Sequence, residues 1–280
     1  MPITPTNFDW IRRLAEERTG NVLDATKTYL VESRLAPLAE SAGLPSIDAI
    51  VDSLRVTSNP ELERRVVEAL LTHETSFFRD PHYFNELAAT ILPDLLRRRQ
   101  TQRRLRIWCA ACSSGQEPYS LAMLLHEQLG GLNDWSLSII ATDYSRPMLD
   151  QARRGSYSAV ETQRGLSPAR LTRFFQRDGS RHVVLPELKR LIEFRELNLA
   201  VDPPPLPRFD LVLIRNVLIY LSENLSREIL ERIHGSLAHD GHLLLGSTET
   251  LIPTPDKFTR ADHCRITCYQ PVSGLRDDFT

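Results

Sequence analysis

Leu105-Arg106-Ile107-Trp108-Cys109-Ala110-Ala111-Cys112-Ser113-Ser114-Gly115-Gln116-Glu117-Pro118-Tyr119-Ser120-Leu121-Ala122-Met123 is the stretch whose reading decides the fold. A short apolar run ends in small residues and a glycine. A helical pattern then starts at once, with Leu121, Leu124 and Leu125 on one face. Pro118 suits the first turn of that helix, where a missing N–H costs nothing. The stretch reads as a buried strand, a tight turn and a helix N-terminus, with small residues that let a ligand approach the backbone. An ordinary strand–helix turn has the same outline, so this stretch alone leaves both readings open.

Downstream, strand and helix patterns alternate, which predicts a mostly parallel sheet covered on both faces. The expected strands are Leu105–Cys109, Leu137–Thr142, Ile192–Leu197, Leu211–Ile214 and His242–Gly246, with helices near 116–129, 145–153 and 222–238. Two weaker strands, Lys257–Arg260 and Arg265–Tyr269, have no helix between them and should pair antiparallel at the sheet edge. Residues 154–190 interrupt the alternation. Ser167–Phe175 reads as helix, and Val183–Leu185 with Leu188 and Leu191 as a short strand pair or hairpin. An insertion of this size in a compact domain is more often functional than idle.

Upstream, residues 1 to about 75 carry four helical patterns, separated by Gly20-Asn21, Gly43-Leu44-Pro45 and Thr57-Ser58-Asn59-Pro60. Asn59 before Pro60 has the form of an N-cap followed by a first-turn proline. The polar run Thr72–Pro81, with Phe77-Phe78 at its centre, precedes a helix bearing Phe84, Leu87, Ile91, Leu92 and Leu95. Arg97-Arg98-Arg99 and Arg103-Arg104 follow and read as a solvated helix end, where cations suit the helix dipole.

Composition narrows the class. The chain has 280 residues, 41% hydrophobic and 25% charged, as in ordinary soluble domains. A net charge of −2 gives no bulk attraction to nucleic acid or to a membrane surface. No apolar run approaches the roughly 20 residues of a membrane span. Met1-Pro2-Ile3-Thr4-Pro5 has neither the charged n-region nor the apolar core of a secretory signal, so a cytoplasmic protein is expected. Cys109, Cys112, Cys264 and Cys268 read as reduced, partly buried thiols rather than a zinc or redox site.

In open α/β sheets, ligands bind beyond the carboxyl ends of the strands. There the sequence places Ala110–Gly115 and Glu117, then Asp143, then Asn198 and Leu199, then Arg215, Asn216, Val217 and Tyr220. An acidic residue ending the second strand is suited to a ribose diol; an N-cap is the alternative for Asp143, and a plain turn residue for Asn216. Neither G-x-G-x-x-G nor G-x-x-x-x-G-K-[ST] is present, which disfavours a dinucleotide or a nucleoside triphosphate. A nucleoside ligand without a pyrophosphate, such as S-adenosylmethionine, fits better.

Six motifs, in order, complete the pattern: Thr72–Arg79 (T-H-E-T-S-F-F-R), Ala111–Ser120 (A-C-S-S-G-Q-E-P-Y-S), Ile140–Asp143 (I-A-T-D), Asn198-Leu199, Arg215–Tyr220 (R-N-V-L-I-Y) and Gly246–Glu249 (G-S-T-E). In this combination the chain resembles the CheR-type chemoreceptor glutamate O-methyltransferases over nearly its whole length. The resemblance implies an α/β fold: a class I, Rossmann-like methyltransferase sheet with an all-helical N-terminal domain and a small inserted β-subdomain. It implies a helical domain over residues 1–75, a linker helix over 76–103, and a methyltransferase domain over 104–280 with its insertion at about 172–190.

The resemblance further implies S-adenosylmethionine as cofactor, S-adenosylhomocysteine as product, and no metal. It assigns cofactor contacts to His73, Thr75, Arg79, Glu117, Asp143, Asn198, Leu199, Arg215 and Asn216, and places Arg79 and Tyr220 beside the transferring methyl. His73 stands where the family usually has Asn, and Gln116 where it usually has Glu. The implied partners are methyl-accepting chemotaxis receptors, met on their cytoplasmic coiled coil and, in some members, at a C-terminal pentapeptide. Arg34, Arg55, Arg64 and Arg65 are the candidate docking residues, and Val183–Leu185 the candidate edge for adding a peptide strand. A catalytically idle homologue that binds the cofactor as an interaction module is the alternative.

Overall fold

The computed structural model describes residues 2–132, 134–251, 256–262 and 264–272. They form two compact units. The first comprises Met1–Thr72 with two short later segments, Asn198–Asp202 and Ile219–Ser226; the second comprises the remainder.

The first unit is a four-helix assembly: Pro5–Thr19, Thr28–Ser41, Ile47–Val56 and Pro60–Leu70. Two of its helix starts carry side-chain caps. Ser46 Oγ accepts from Ala49 N at 3.2 Å, and Asn59 Oδ1 accepts from Leu62 N at 3.0 Å with Pro60 in the first turn, as expected. The apolar stripes close on one another: Ile11, Ala15, Val31, Leu35, Ile50, Val51, Val66 and Val67 are all buried. Arg34 donates to the carbonyls of Leu70 and Leu71 at 2.7 and 3.0 Å, satisfying acceptors left open at a helix end. Arg64 pairs with Glu68 at 3.0 Å, Arg65 donates to Ser41 Oγ at 2.8 Å, and Arg55 lies over the Trp10 ring. The basic residues read as one docking face are therefore each engaged within the unit, and Arg34 is largely a capping group. The two later segments join by backbone and side-chain bonds: Val22 N donates to the Tyr220 carbonyl at 2.8 Å, and Asn198 Nδ2 to the Arg18 carbonyl at 2.6 Å.

The second unit is built on a seven-stranded sheet. Its strands are β1 (Arg104–Ala110), β2 (Ser136–Asp143), β6 (Ile192–Glu196), β7 (Phe209–Ile214), β8 (Leu237–Leu245), β9 (Phe258–Arg260) and β10 (Cys268–Pro271). The spatial order is β6-β2-β1-β7-β8-β10-β9. The first five strands are parallel, and β10 pairs antiparallel with both β8 and β9. This is the doubly wound sheet with an antiparallel edge that the alternation predicted. All six residues of β7 are buried, as a strand covered on both faces requires.

Boundaries differ where local signals compete. The last long helix ends at Ser236, because Leu237 already pairs with Phe209 and starts β8 before an irregularity. The final strand runs Cys268–Pro271 rather than from Arg265, since Arg265–Thr267 form a bend and Tyr269–Pro271 find their partners in β9. Pro186 opens a short helix over Pro186–Lys189 where a hairpin arm was expected. The inserted sheet has three strands, β3 (Ser156–Ser158), β4 (Phe175–Asp178) and β5 (Arg181–Val184), in the order β3-β5-β4. Strand β5 is central, paired on both sides. Val183 and Val184 therefore offer no open edge, which corrects the reading of Val183–Leu185 as a peptide-binding edge.

The helical stretch before β1 passes through a π-turn, Leu87–Ile91, in which Leu92 N donates to the Leu87 carbonyl. Pro93 has no N–H to give the preceding turn, and Gln128 Nε2 donates instead to the Ala88 carbonyl at 2.7 Å. Nor is the arginine run merely solvated. Arg99 donates through Nε to Asp210 at 2.6 Å and through Nη1 and Nη2 to Asp240 at 2.8 and 2.5 Å. Asp210 also accepts from Arg106 N at 2.8 Å. One planar guanidinium thus ties the helix end to β7 and β8, which lie far away in sequence. Among the described residues, no helix is long and apolar enough to cross a membrane.

Arg99 holds the Asp240 carboxyl down to about 2, below its ordinary 3.8. A depressed carboxyl stabilises the fold above its unfolded value, and that stability is lost as pH falls through the folded value. The Arg99→Met variant should lose roughly 2 kcal/mol at pH 7. It should also show a shallower stability loss between pH 3.8 and about 2 than the parent, measured by urea unfolding across that range.

Candidate active site

Five segments of the second unit converge: those leaving the carboxyl ends of β2, β1, β7 and β8, and residues 73–80 ahead of the sheet. The strand order reverses direction between β1 and β7, which is where open α/β sheets leave a crevice for ligands. The backbone there departs from ordinary conformations. Of the six non-glycine residues with positive φ among the described residues, five lie in these segments: Phe78, Asp80, Ala111, Ser113 and Asn216. Such conformations persist only where surrounding contacts hold them.

The turn after β1 is held from β2. Ser113 N donates to Asp143 Oδ2 at 2.8 Å, and Ser145 N to Asp143 Oδ1 at 2.9 Å. Asp143 thus fastens the start of the next helix, as a capping reading requires, and also locks the turn that follows β1. Its carboxylate is buried at 7% exposure. Ser113 Oγ donates to the His73 carbonyl at 2.9 Å, which extends the network to the T-H-E-T-S-F-F-R segment.

That segment is anchored by its aromatic pair. Phe77 packs edge-on against Tyr157 and Phe175, with centroids 4.9 and 5.6 Å away. Phe78 packs on Phe84, lies 4.0 Å beneath the Arg170 guanidinium, and donates its N–H to Ser120 Oγ at 3.0 Å. The polar residues flanking the pair keep partial exposure. Thr75 and Arg79 are half-buried, and Arg79 Nη1 donates to the Glu74 carbonyl at 2.8 Å.

Arg215, following β7, is the charge centre of the crevice. Its side chain is 1% exposed. Nη1 donates to Glu117 at 2.9 Å, Nη2 to Asp80 at 2.7 Å and to the Arg79 carbonyl at 3.2 Å, and the guanidinium lies 3.9 Å over the Tyr83 ring. Its Nε is buried without a partner. Burial works against this cation, but Glu117 and Asp80 hold it protonated above its ordinary range. Burial likewise pushes the Glu117 carboxyl up, opposed by Arg215. Asn216, with φ 58°, directs the chain away from the sheet. Burial raises the Cys109 and Cys112 thiols well above their ordinary range, so neither is a ready nucleophile.

The structure therefore links Glu117 with Arg215, and Asp143 with the backbone beside His73. Asn198, Leu199 and Tyr220 belong to the first unit. There Asn198 Oδ1 accepts from Ala200 N at 3.0 Å, and Tyr220 is half-buried. Sequence reasoning missed three contributors. Asp80, beside a proline, is the second carboxylate on Arg215. Ser113 is the hinge between Asp143 and His73. Glu249, in G-S-T-E, accepts four backbone N–H groups from the ends of β7 and β8. Only the motif membership of Glu249 hinted at its importance.

Comparison with known proteins matches residues 73–266 to the CheR methyltransferase, SAM binding domain, and residues 6–71 to the CheR methyltransferase, all-alpha domain. The chain is 43% identical over 263 residues to chemotaxis protein methyltransferase 1 of Pseudomonas aeruginosa, covering 92% of this chain and 95% of that one. It is 41% identical over 250 residues to chemotaxis protein methyltransferase 1 of Vibrio cholerae, covering 88% and 90%. It is 32% identical over 265 residues to the chemotaxis protein methyltransferase of Escherichia coli, covering 92% and 89%.

The anchoring of Phe77 depends on Gly165, whose φ is 97° and where a methyl group would lie 1.8 Å from the Phe77 carbonyl oxygen. Backbone cannot yield as a flexible side chain does. Gly165→Ala should therefore cost more than about 1 kcal/mol in thermal or urea unfolding.

Proposed function

Because the chain belongs to the CheR methyltransferase family, we propose that it transfers a methyl group from S-adenosylmethionine to glutamate carboxylates on the cytoplasmic helices of chemoreceptors, leaving glutamate methyl esters. The observation that carries this reading is the gathering of Asp143, Glu117, Arg215 and Asn216 at the carboxyl ends of neighbouring parallel strands. The class I methyltransferase sheet positions them.

The residues present suit the cofactor. The Arg215 Nε–H is buried and unpaired, a state that is costly in a protein interior and is relieved by an acceptor brought by a ligand. Asp143 is held in orientation by two backbone N–H groups before any sugar hydroxyl arrives. The bound cofactor would supply an electrophilic methyl on a sulfonium, whose departing form is a neutral thioether. No metal enters this proposal.

The acceptor makes few chemical demands. A glutamate side chain, with an ordinary pKa near 4.3, is already ionised at pH 7, so no general base is needed. What the protein must contribute is alignment of carboxylate, methyl and sulfur, and exclusion of water. Alignment contributes on the order of 7–11 kcal/mol in favourable systems. Arg79 keeps a planar fork at the edge of the crevice, suited to a carboxylate. We assign receptor docking to the helical unit, and the reaction to the cytoplasm, where receptor signalling helices lie.

The test is incubation with labelled S-adenosylmethionine and receptor cytoplasmic fragments, with and without their C-terminal tails. Base-labile label on the fragments is expected; its absence from every fragment would refute the assignment. Arg79→Ala should abolish transfer with the fold intact by circular dichroism. Asp143→Ala should raise the dissociation constant for S-adenosylhomocysteine by at least about tenfold in calorimetry.

A further inference from the structure

Glu249 is 3% exposed, and its carboxylate meets backbone N–H groups on every side. Oε2 accepts from Asn216 N at 2.8 Å and Gly246 N at 2.7 Å; Oε1 accepts from Val217 N at 2.7 Å and Leu218 N at 2.8 Å. Glu249 N donates to the Gly246 carbonyl at 3.0 Å, closing a turn that folds the side chain back over the end of β8. A side chain that only accepts is required here. Four converging donors suit an ionised carboxylate, and they leave no role for an amide N–H.

The approach is possible because position 246 is glycine. A methyl group there would lie 2.7 Å from Glu249 Oε2, 2.9 Å from Asn216 Nδ2 and 3.0 Å from Asn216 N. The G-S-T-E and R-N-V-L-I-Y motifs are therefore one device. Gly246 makes room, and Glu249 reaches across to the chain leaving β7. The residue it grips first, Asn216, is the one with φ 58°, a conformation that needs outside support. Arg215 immediately precedes it.

We propose that Glu249 is a positioning residue of the crevice: its carboxylate holds Asn216 in the left-handed conformation and so fixes the direction in which Arg215 meets Glu117 and Asp80. It acts through backbone and through Arg215, not by touching a reacting atom. The placement stands on geometry alone; its consequence for cofactor affinity rests on the function proposed above.

Two readouts separate these claims. Glu249→Gln keeps length and volume but turns N–H toward N–H. With the full chain folded by circular dichroism, amide hydrogen exchange over 216–218 should quicken by about tenfold or more, while β1 and β7 keep their protection. The dissociation constant for S-adenosylhomocysteine should rise by about tenfold or more in the same folded variant. Should Glu249→Gln fail to fold, Gly246→Ala, which displaces the carboxylate without removing it, should give the same local loosening. Unchanged exchange over 216–218 overturns the placement. Loosened exchange with parental affinity overturns the positioning role. If the parent itself binds no S-adenosylhomocysteine, the proposed function fails, and the exchange measurement still judges Glu249.

Discussion

One buried cation organises the crevice. Arg215 is removed from water at the end of β7, lies against Tyr83, and is answered by Glu117 from the helix after β1 and Asp80 from the segment before the sheet. A buried ion pair adds little net stability compared with apolar packing, yet removing one partner leaves a charge stranded. Such a group is better understood as a register device. It requires three stretches of chain to arrive together, and it forbids small slips among them.

The surrounding groups make that arrival possible. Phe77 and Phe78 sink into the second unit and carry the polar residues between His73 and Arg79 to the crevice. Asp143 fastens the turn after β1, and Glu249 fastens the turn after β7. Both carboxylates accept backbone N–H groups, two at Asp143 and four at Glu249. This suits a site that must be rigid before its ligand arrives, since preorganised dipoles need not reorganise during reaction. The five residues with positive φ mark where the backbone has been bent to serve these anchors.

The proposed transfer from a sulfonium methyl to an ionised carboxylate asks for little proton chemistry. The arrangement accords with that. Burial raises the Cys109 and Cys112 thiols, and the charged groups shifted at the centre of the crevice are an arginine and the carboxyl beside it rather than a poised base. What the crevice provides is buried charge placed at a shaped edge of a sheet.

The alternation of strand and helix, the four N-terminal helices with the Asn59 cap, and the position of Asp143 at the end of the second strand were legible in the sequence, because hydrophobic period and capping chemistry act within a few residues. Charge partners were not. Arg99 looked like a solvated helix end, yet it meets Asp210 and Asp240 across separations of 111 and 141 residues, contacts that exist only once β7 and β8 are neighbours. Val183 and Val184 had the composition of an edge, but strand order placed them in the middle of three. Glu249 was visible as part of a motif and silent about its purpose, since three of its four donors lie 31 to 33 residues away on a different strand end. Local propensity selects the elements; which side chains share a buried space is settled by packing, and packing depends on the whole chain at once.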